Sequence, residues 1–161
     1  MFSLRKTNPR DLLTSGLYDE QSFYPALLRD LKRSRREVII ESPYMTMPRT
    51  LLIKPILKKL VKKGVKVRVH TRYPGHHDQL LRIQAYQATK ELKQIGVKVR
   101  FFNDFHHRKL VIIDSTILYE GSLNVMSQNK SREIMRRIES EQLAQQMIRF
   151  LHLKPWYSYI L

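Results

Sequence analysis

Cysteine is absent from the 161 residues, so neither a disulfide framework nor a cysteine-built zinc site can contribute, and the redox compartment is left open. Acidic residues are few: 14 Asp and Glu stand against 30 Lys and Arg, a formal charge of +16. That balance favours a polyanionic partner such as DNA, RNA or an anionic membrane surface, although a solvated basic surface would give the same count. Long hydrophobic runs are missing too. No segment approaches the length of a membrane span, which argues against stable membrane insertion. The stretch MFSLRKTNPRDLL lacks the apolar core of a signal peptide, so a soluble cytoplasmic protein is the default expectation. This length buries one modest core, giving a single domain over residues 1–161 with residues 1–20 as a flexible extension.

What is present is concentrated in FHHRKLVIIDSTILYEGSLN, residues 105–124. His107 and Lys109 lie two apart, as alternate residues of an extended strand do, so both side chains leave one face. Four apolar residues lead to Asp114, and a second short run leads to Gly121-Ser122-Leu123-Asn124. An imidazole can attack phosphorus, an ammonium can hold a non-bridging oxygen, and hydroxyl and amide groups can complete a cradle around a phosphate. Those residue types point to a phosphodiester site without a metal.

Around this stretch the chain alternates helical and strand patterns. Asp19 and Ser22 are placed to cap a helix over residues 23–31, which ends in the cluster Lys32-Arg33-Ser34-Arg35-Arg36, either a solvated helix end or part of a backbone-binding surface. Val38-Ile39-Ile40 reads as a buried strand broken at Pro43, with Ser42, Tyr44 and Thr46 at its exit, in either a cleft or a turn role. Helical spacing over residues 51–61 aligns Leu52, Ile56 and Leu60. Gly64 stops that helix before the alternating strand Val65-Lys66-Val67-Arg68-Val69, and Arg72 opens the next loop. Asp78 caps a helix through Ile95, and Gly96 repeats the phrase Gly-Val-Lys-Val-Arg, so one supersecondary unit occurs twice. Leu110-Val111-Ile112-Ile113 is apolar enough for a central strand covered on both sides. Residues 117–119 and 134–138 supply further strands, and Ser140 starts a terminal helix holding Leu143, Met147, Phe150 and Leu151. The apolar tail, residues 156–161, suits packing on this chain's core, a subunit contact or membrane adhesion. The order predicts an α/β sandwich: a mixed central sheet with helices on both faces.

His107, Lys109 and Asp114 at HxKxxxxD spacing, followed by Gly121-Ser122-Leu123-Asn124, resemble the signature of the phospholipase D superfamily with its downstream GSxN. From about residue 23 to the last helix the chain resembles the phospholipase D fold, and its single motif is similar to the small bacterial endonucleases of that superfamily. Most of these enzymes carry two motif copies and form one active site between the halves. Here His70, His76 and His77 have no lysine or aspartate at the required spacing, so only one copy exists. The resemblance therefore implies a homodimer with a shared site and no cofactor.

It implies further that one His107 forms a phosphohistidine while the other protonates the leaving oxygen, with Lys109, Asn124 and Ser122 holding the phosphate. Glu133 looks like the family's acid that accepts the imidazole Nδ1 proton, against a plain ion pair with Arg132 or Arg136. Asp114 belongs to the motif in a structural role, holding the loop around the site. His106 points away from the phosphate as a framework histidine, and His76, His77 and His152 have no partner at metal-ligand spacing. The expected activity is metal-independent hydrolysis of nucleic acid, DNA before RNA. The alternatives are a phosphatidyl hydrolase or transferase, against which the short chain offers no evident acyl groove, and a non-catalytic DNA-binding module.

Overall fold

A computed structural model describes residues 14–153. Seven strands, β1 Ser15–Asp19, β2 Glu37–Glu41, β3 Lys66–Arg72, β4 Lys98–Phe102, β5 Leu110–Ile113, β6 Ile117–Gly121 and β7 Ile134–Glu139, form one sheet in the order β1-β7-β6-β5-β2-β3-β4. Strands β2, β3 and β4 run parallel, and every other pairing is antiparallel. Four helices cover the sheet: α1 Phe23–Arg33, α2 Met47–Lys62, α3 Gln79–Gln94 and α4 Glu141–Phe150.

Strand alternation divides the apolar residues between two cores. Val38 and Ile40 of β2, with Val111 and Ile113 of β5, face a large core filled by Phe23, Leu27 and Leu31 of α1, Ile53 and Leu57 of α2, and Ala88 and Leu92 of α3. Ile39, Leu110 and Ile112 face the other way and pack with Leu118, Ile138 and Ala144 under α4. Helices thus lie on both faces of a mixed sheet, as expected, and β5, all four residues buried, is the middle strand.

The two repeated helix–glycine–strand units close alike. Gly64 and Gly96 take φ of 87° and 89°, the left-handed region, and the following amides, Val65 N and Val97 N, donate back to Leu60 O at 3.0 Å and Leu92 O at 3.1 Å. Two caps are as anticipated: Asp78 accepts from Leu81 N at 2.9 Å and Ser140 from Leu143 N at 3.2 Å. Ser22, by contrast, exchanges hydrogen bonds with Asp19 in the turn ahead of α1 and makes no side-chain bond to the helix amides.

Other expectations change. Ser15–Asp19, inside the stretch read as an extension, is edge strand β1, paired with β7. Helix α2 turns Thr50, Ile53, Leu57 and Leu60 inward, leaving Leu52 40% exposed. Apolar residues lie nearly all round that helix, so spacing alone offered two faces, and Pro55 sits inside it. Phe150 is exposed at 77%. The aromatic tail lies outside the described residues. Among the described residues no helix is long and apolar enough to cross a membrane.

Asp114 closes the fold. It opens the three-residue hairpin loop 114–116 between β5 and β6, where Asp114 and Ser115 take positive φ (54° and 56°) and Thr116 N donates back to Ile113 O at 3.0 Å. Its carboxylate accepts from Ser34 Oγ at 3.0 Å and from the amides of Arg35, Arg36 and Glu37 at 2.8–2.9 Å, and its own amide donates to Glu37 O at 2.8 Å. Burial alone would raise its pKa, but these donors outweigh it and hold the carboxyl below its ordinary 3.8. Asp114→Ala is expected to lower the unfolding free energy by about 2–3 kcal/mol, allowing for partial exposure of the group, as read from the denaturant midpoint. A depressed pKa gives stability that is fully present above the unfolded value and is lost as pH falls through the folded one. The difference between wild type and Asp114→Ala should therefore persist at neutral pH and shrink only in acid, below about pH 4.

Candidate active site

The topology brings the chemistry to one edge of the sheet. The carboxyl ends of β2, β3 and β4, the start of β5, the end of β6 and the start of β7 all lie at that edge, by their registers. Residues 42–46, 73–78, 103–109 and 122–133 therefore emerge together, the usual address for ligands in sheets of this kind.

Residues 106–109 lead into β5, and their alternation is enforced by a buried charge. Glu41, at the end of β2, is fully buried. Its Oε1 lies 3.0 Å from His70 Nδ1, and its Oε2 lies 2.8 Å from Arg108 Nε and 3.8 Å from His106 Nε2. His106, buried and stacked on Phe102 at 5.1 Å, has its pKa lowered by burial, which Glu41 opposes. With His106 and Arg108 on that side, His107 and Lys109 take the other. The framework reading of His106 matches this position.

His107 is exposed, and Lys109 reaches it directly: Nζ is 2.7 Å from His107 Nδ1 and donates to its carbonyl at 2.8 Å. Desolvation, then the charges of Lys109 and Arg72, push the His107 pKa below 6.5. Lys109 is itself lowered by burial, against the pull of Glu133. Tyr44 sets its ring edge-to-face against His107 at 6.0 Å.

The Gly121–Asn124 turn is shaped from beneath. A Cβ on Gly121 would stand 2.2 Å from Ile134 O, so close backbone approach demands the glycine. Leu123 and Val125 are buried, and alternation leaves Ser122 exposed and Asn124 half-buried. Tyr24 Oη donates to Val125 O at 2.9 Å, Thr46 N to Met126 O at 2.9 Å, and Met126 N to Ser42 Oγ at 3.1 Å. Ser42 and Thr46 are thus scaffold for this loop, while Tyr44 reaches the imidazole. Asn124 Oδ1 is buried without a hydrogen-bond partner.

Two motif positions differ from expectation. Glu133 does not meet His107 Nδ1 within the chain, because Lys109 occupies that nitrogen. Its carboxylate bonds Ser122 and Ser131, which hold its pKa low with help from Lys109, and its amide donates to Glu20 Oε2 at 3.0 Å. Arg136, the alternative ion partner, bonds Ser15 Oγ at 3.1 Å. Asp114 lies at the far end of β5 from His107, so the loop it holds, residues 34–37, is not one around the site. Among the described residues no group of three or more His, Asp or Glu is arranged to hold a metal ion.

The family model for the cardiolipin synthase, PLD-like domain matches residues 27–154. The chain belongs to the phospholipase D superfamily. Relatives include a cardiolipin synthase of Oceanobacillus iheyensis, 33% identical over 134 residues (74% of this chain, 26% of the relative), and cardiolipin synthase 1 of Bacillus cereus, 28% identical over 109 residues (66% and 21%). The chain thus spans about a quarter of the curated relatives it matches. Among solved structures, the phospholipase D family member Nuc from Salmonella typhimurium (TM-score 0.69, 19% identity) and NucT from Helicobacter pylori (0.69, 18%) each align over 84% of this chain and 91% of theirs. The fold is therefore the phospholipase D α/β sandwich.

Within this phospholipase D site, sequence reading missed Arg72. It ends β3, and its charge acts on both His107 and His77. The available signal was the alternation of Lys66, Arg68 and His70, which runs on to Arg72. A further consequence is titration. By NMR, His107 should show a pKa below 6.5, and Lys109→Met should move it upward, because removing a neighbouring positive charge makes protonation cheaper. A value unmoved by the substitution would leave desolvation and the Arg72 charge as the causes.

Proposed function

We propose that the chain is a metal-independent phosphodiesterase that hydrolyses nucleic acid, acting as an endonuclease, with DNA as the preferred polymer, and working as a homodimer with one shared site. The observation that carries this reading is the His107–Lys109 pair, with both pKa values depressed, exposed at the sheet edge of a chain bearing +16. Such a charge grips a phosphate backbone with little sequence preference. The fold likeness to Nuc and NucT supports it.

Chemistry follows from the roles available. One neutral His107 attacks phosphorus through Nε2, forming a P–N bond as the P–O bond to the leaving oxygen breaks. The second copy's His107, as imidazolium, gives its proton to that oxygen. Water then attacks phosphorus, its proton passes to the second imidazole, and the P–N bond breaks. Lys109, Asn124 and Ser122 hold the phosphoryl oxygens in place of a cation.

Attack by Nε2 requires the proton on Nδ1, the nitrogen that Lys109 Nζ meets at 2.7 Å. A phosphate oxygen would draw the ammonium away, and the acceptor for Nδ1–H would be Glu133 of the second copy.

A lipid reading has its own support. A groove of about 480 Å³ beside Lys109 is lined by the apolar Leu17, Leu110, Ile134, Met147 and Leu151, rimmed by Arg108, Glu120 and Arg136, a feature that sequence reading did not find, and three curated relatives are cardiolipin synthases. Cleavage of supercoiled, linear and single-stranded DNA in EDTA, beside hydrolysis of phosphatidylglycerol vesicles, decides between them. Wild type should cut DNA with chelator present, and His107→Ala should be at least about a thousandfold slower. Chelator-sensitive cutting, or activity on vesicles alone, would overturn the nuclease proposal. Sedimentation should give twice the chain mass for the active species.

A further inference from the structure

Beside His107, five rings from three parts of the chain form an unbroken ladder. Phe105 stacks on His76 with centroids 4.8 Å apart and planes 13° from parallel. His76 meets Tyr73 edge-on at 5.5 Å, Tyr73 meets Phe101 at 6.2 Å, and Phe101 meets Tyr86 at 6.2 Å. Parallel pairing creates the cluster, since Arg72 is in register with Phe102 and the loops that follow β3 and β4 leave side by side.

These rings are not packing a core. Phe105 is 65% exposed, Tyr86 45% and Tyr73 38%. Grouped exposed aromatics mark a binding surface more than scattered ones do. Phe105 also takes φ of 57°, which bulky residues seldom adopt, and burial does not compensate for it. A cation joins the ladder: the Arg72 guanidinium lies 4.6 Å from the Phe105 centroid, while Arg82 donates to Gly75 O and His77 O in the loop that carries Tyr73 and His76. Arg72 Nε is buried with no hydrogen-bond partner. Arg72 therefore stands between the ladder and His107.

We propose that the ladder is a stacking platform for unpaired bases, so that the polymer entering the His107 site is single-stranded over the nucleotides next to the scissile phosphate. The proposal rests on the nucleic-acid reading above and names the strand state that reading leaves open. A single strand offers base faces to aromatic side chains and guanidinium planes, whereas a duplex hides them. The phosphate joining a stacked nucleotide to the scissile one would meet Arg72. A membrane is the weaker occupant. A guanidinium stacked on the outermost ring, Phe105, suits a base and its phosphate better than acyl chains, and the apolar residues a bilayer would use instead, Leu80 and Ile83 on α3, are separately testable.

The test is binding by the full His107→Ala chain to a labelled single strand of about eight nucleotides and to an abasic strand with the same phosphates. The base-bearing strand should bind roughly tenfold tighter or more. Tyr86→Ala and Phe105→Ala should each erode that preference without weakening the abasic complex, and Tyr86→Trp should retain it. Equal affinity for the two strands, or a preference that survives both alanine substitutions together, overturns the platform and leaves the nuclease reading standing. Failure to bind either strand, with binding to phosphatidylglycerol vesicles that Leu80→Ser weakens, overturns both. A dimer that falls to monomer in Tyr86→Ala assigns the ladder to the contact between copies and also overturns the platform.

Discussion

Glu41 is a carboxylate with none of its surface in water, and an ion so placed must be paired or it destabilises the fold. Its partners come from two different elements, His70 on β3 and Arg108 in the segment before β5. One side chain thereby ties the carboxyl end of β2 to both of its neighbours in the sheet. The consequence for chemistry is directional. In extended backbone, fixing His106 and Arg108 on one side leaves His107 and Lys109 only the other. The His107–Lys109 pair is aimed by residues that face the other way, toward Glu41.

The signature is used at both ends of β5. At the start of the strand its histidine and lysine face the open edge, and at the finish its aspartate gathers the amides of residues 35–37. These two ends do different physical work. A charge engaged by four donors resists displacement and anchors α1 to the sheet. The imidazole and ammonium are left with few partners, which keeps them available. The same division appears in the Gly121–Asn124 turn, where Leu123 and Val125 anchor while Ser122 and Asn124 present polar atoms.

Spacing in the sequence was enough to place His107 with Lys109 and Ser122 with Asn124, because an extended segment and a tight turn convert sequence intervals directly into geometry. The glycine stops and the repeated Gly-Val-Lys-Val-Arg phrase were legible for the same reason: left-handed helix ends are local. Arg72 and the ring ladder were not, since they depend on which strand lies beside β3, and residues thirty positions apart meet only through that pairing. Helix α2 offered two apolar faces, and only the position of the sheet chose between them. Strand β1 carries little apolar signal because it is an edge, with Leu17 64% exposed. Glu133 was found by its place after the turn, but its hydrogen bonds within one chain run to serines instead of to the imidazole.

Electrostatics bear on how two identical imidazoles could take opposite parts. Desolvation, then the positive charges of Lys109 and Arg72, lower the His107 pKa and favour its neutral form, in each copy of the proposed dimer alike. A bound phosphate reverses the sign of that field. It draws Lys109 toward its oxygens and favours protonation of whichever imidazole lies on the leaving-group side, while the ring aligned for attack must stay neutral. On the proposed dimeric reading, substrate itself breaks the symmetry. On that same reading His107 rests as a base, and the polyanion would supply the negative charge that turns the second copy into an acid.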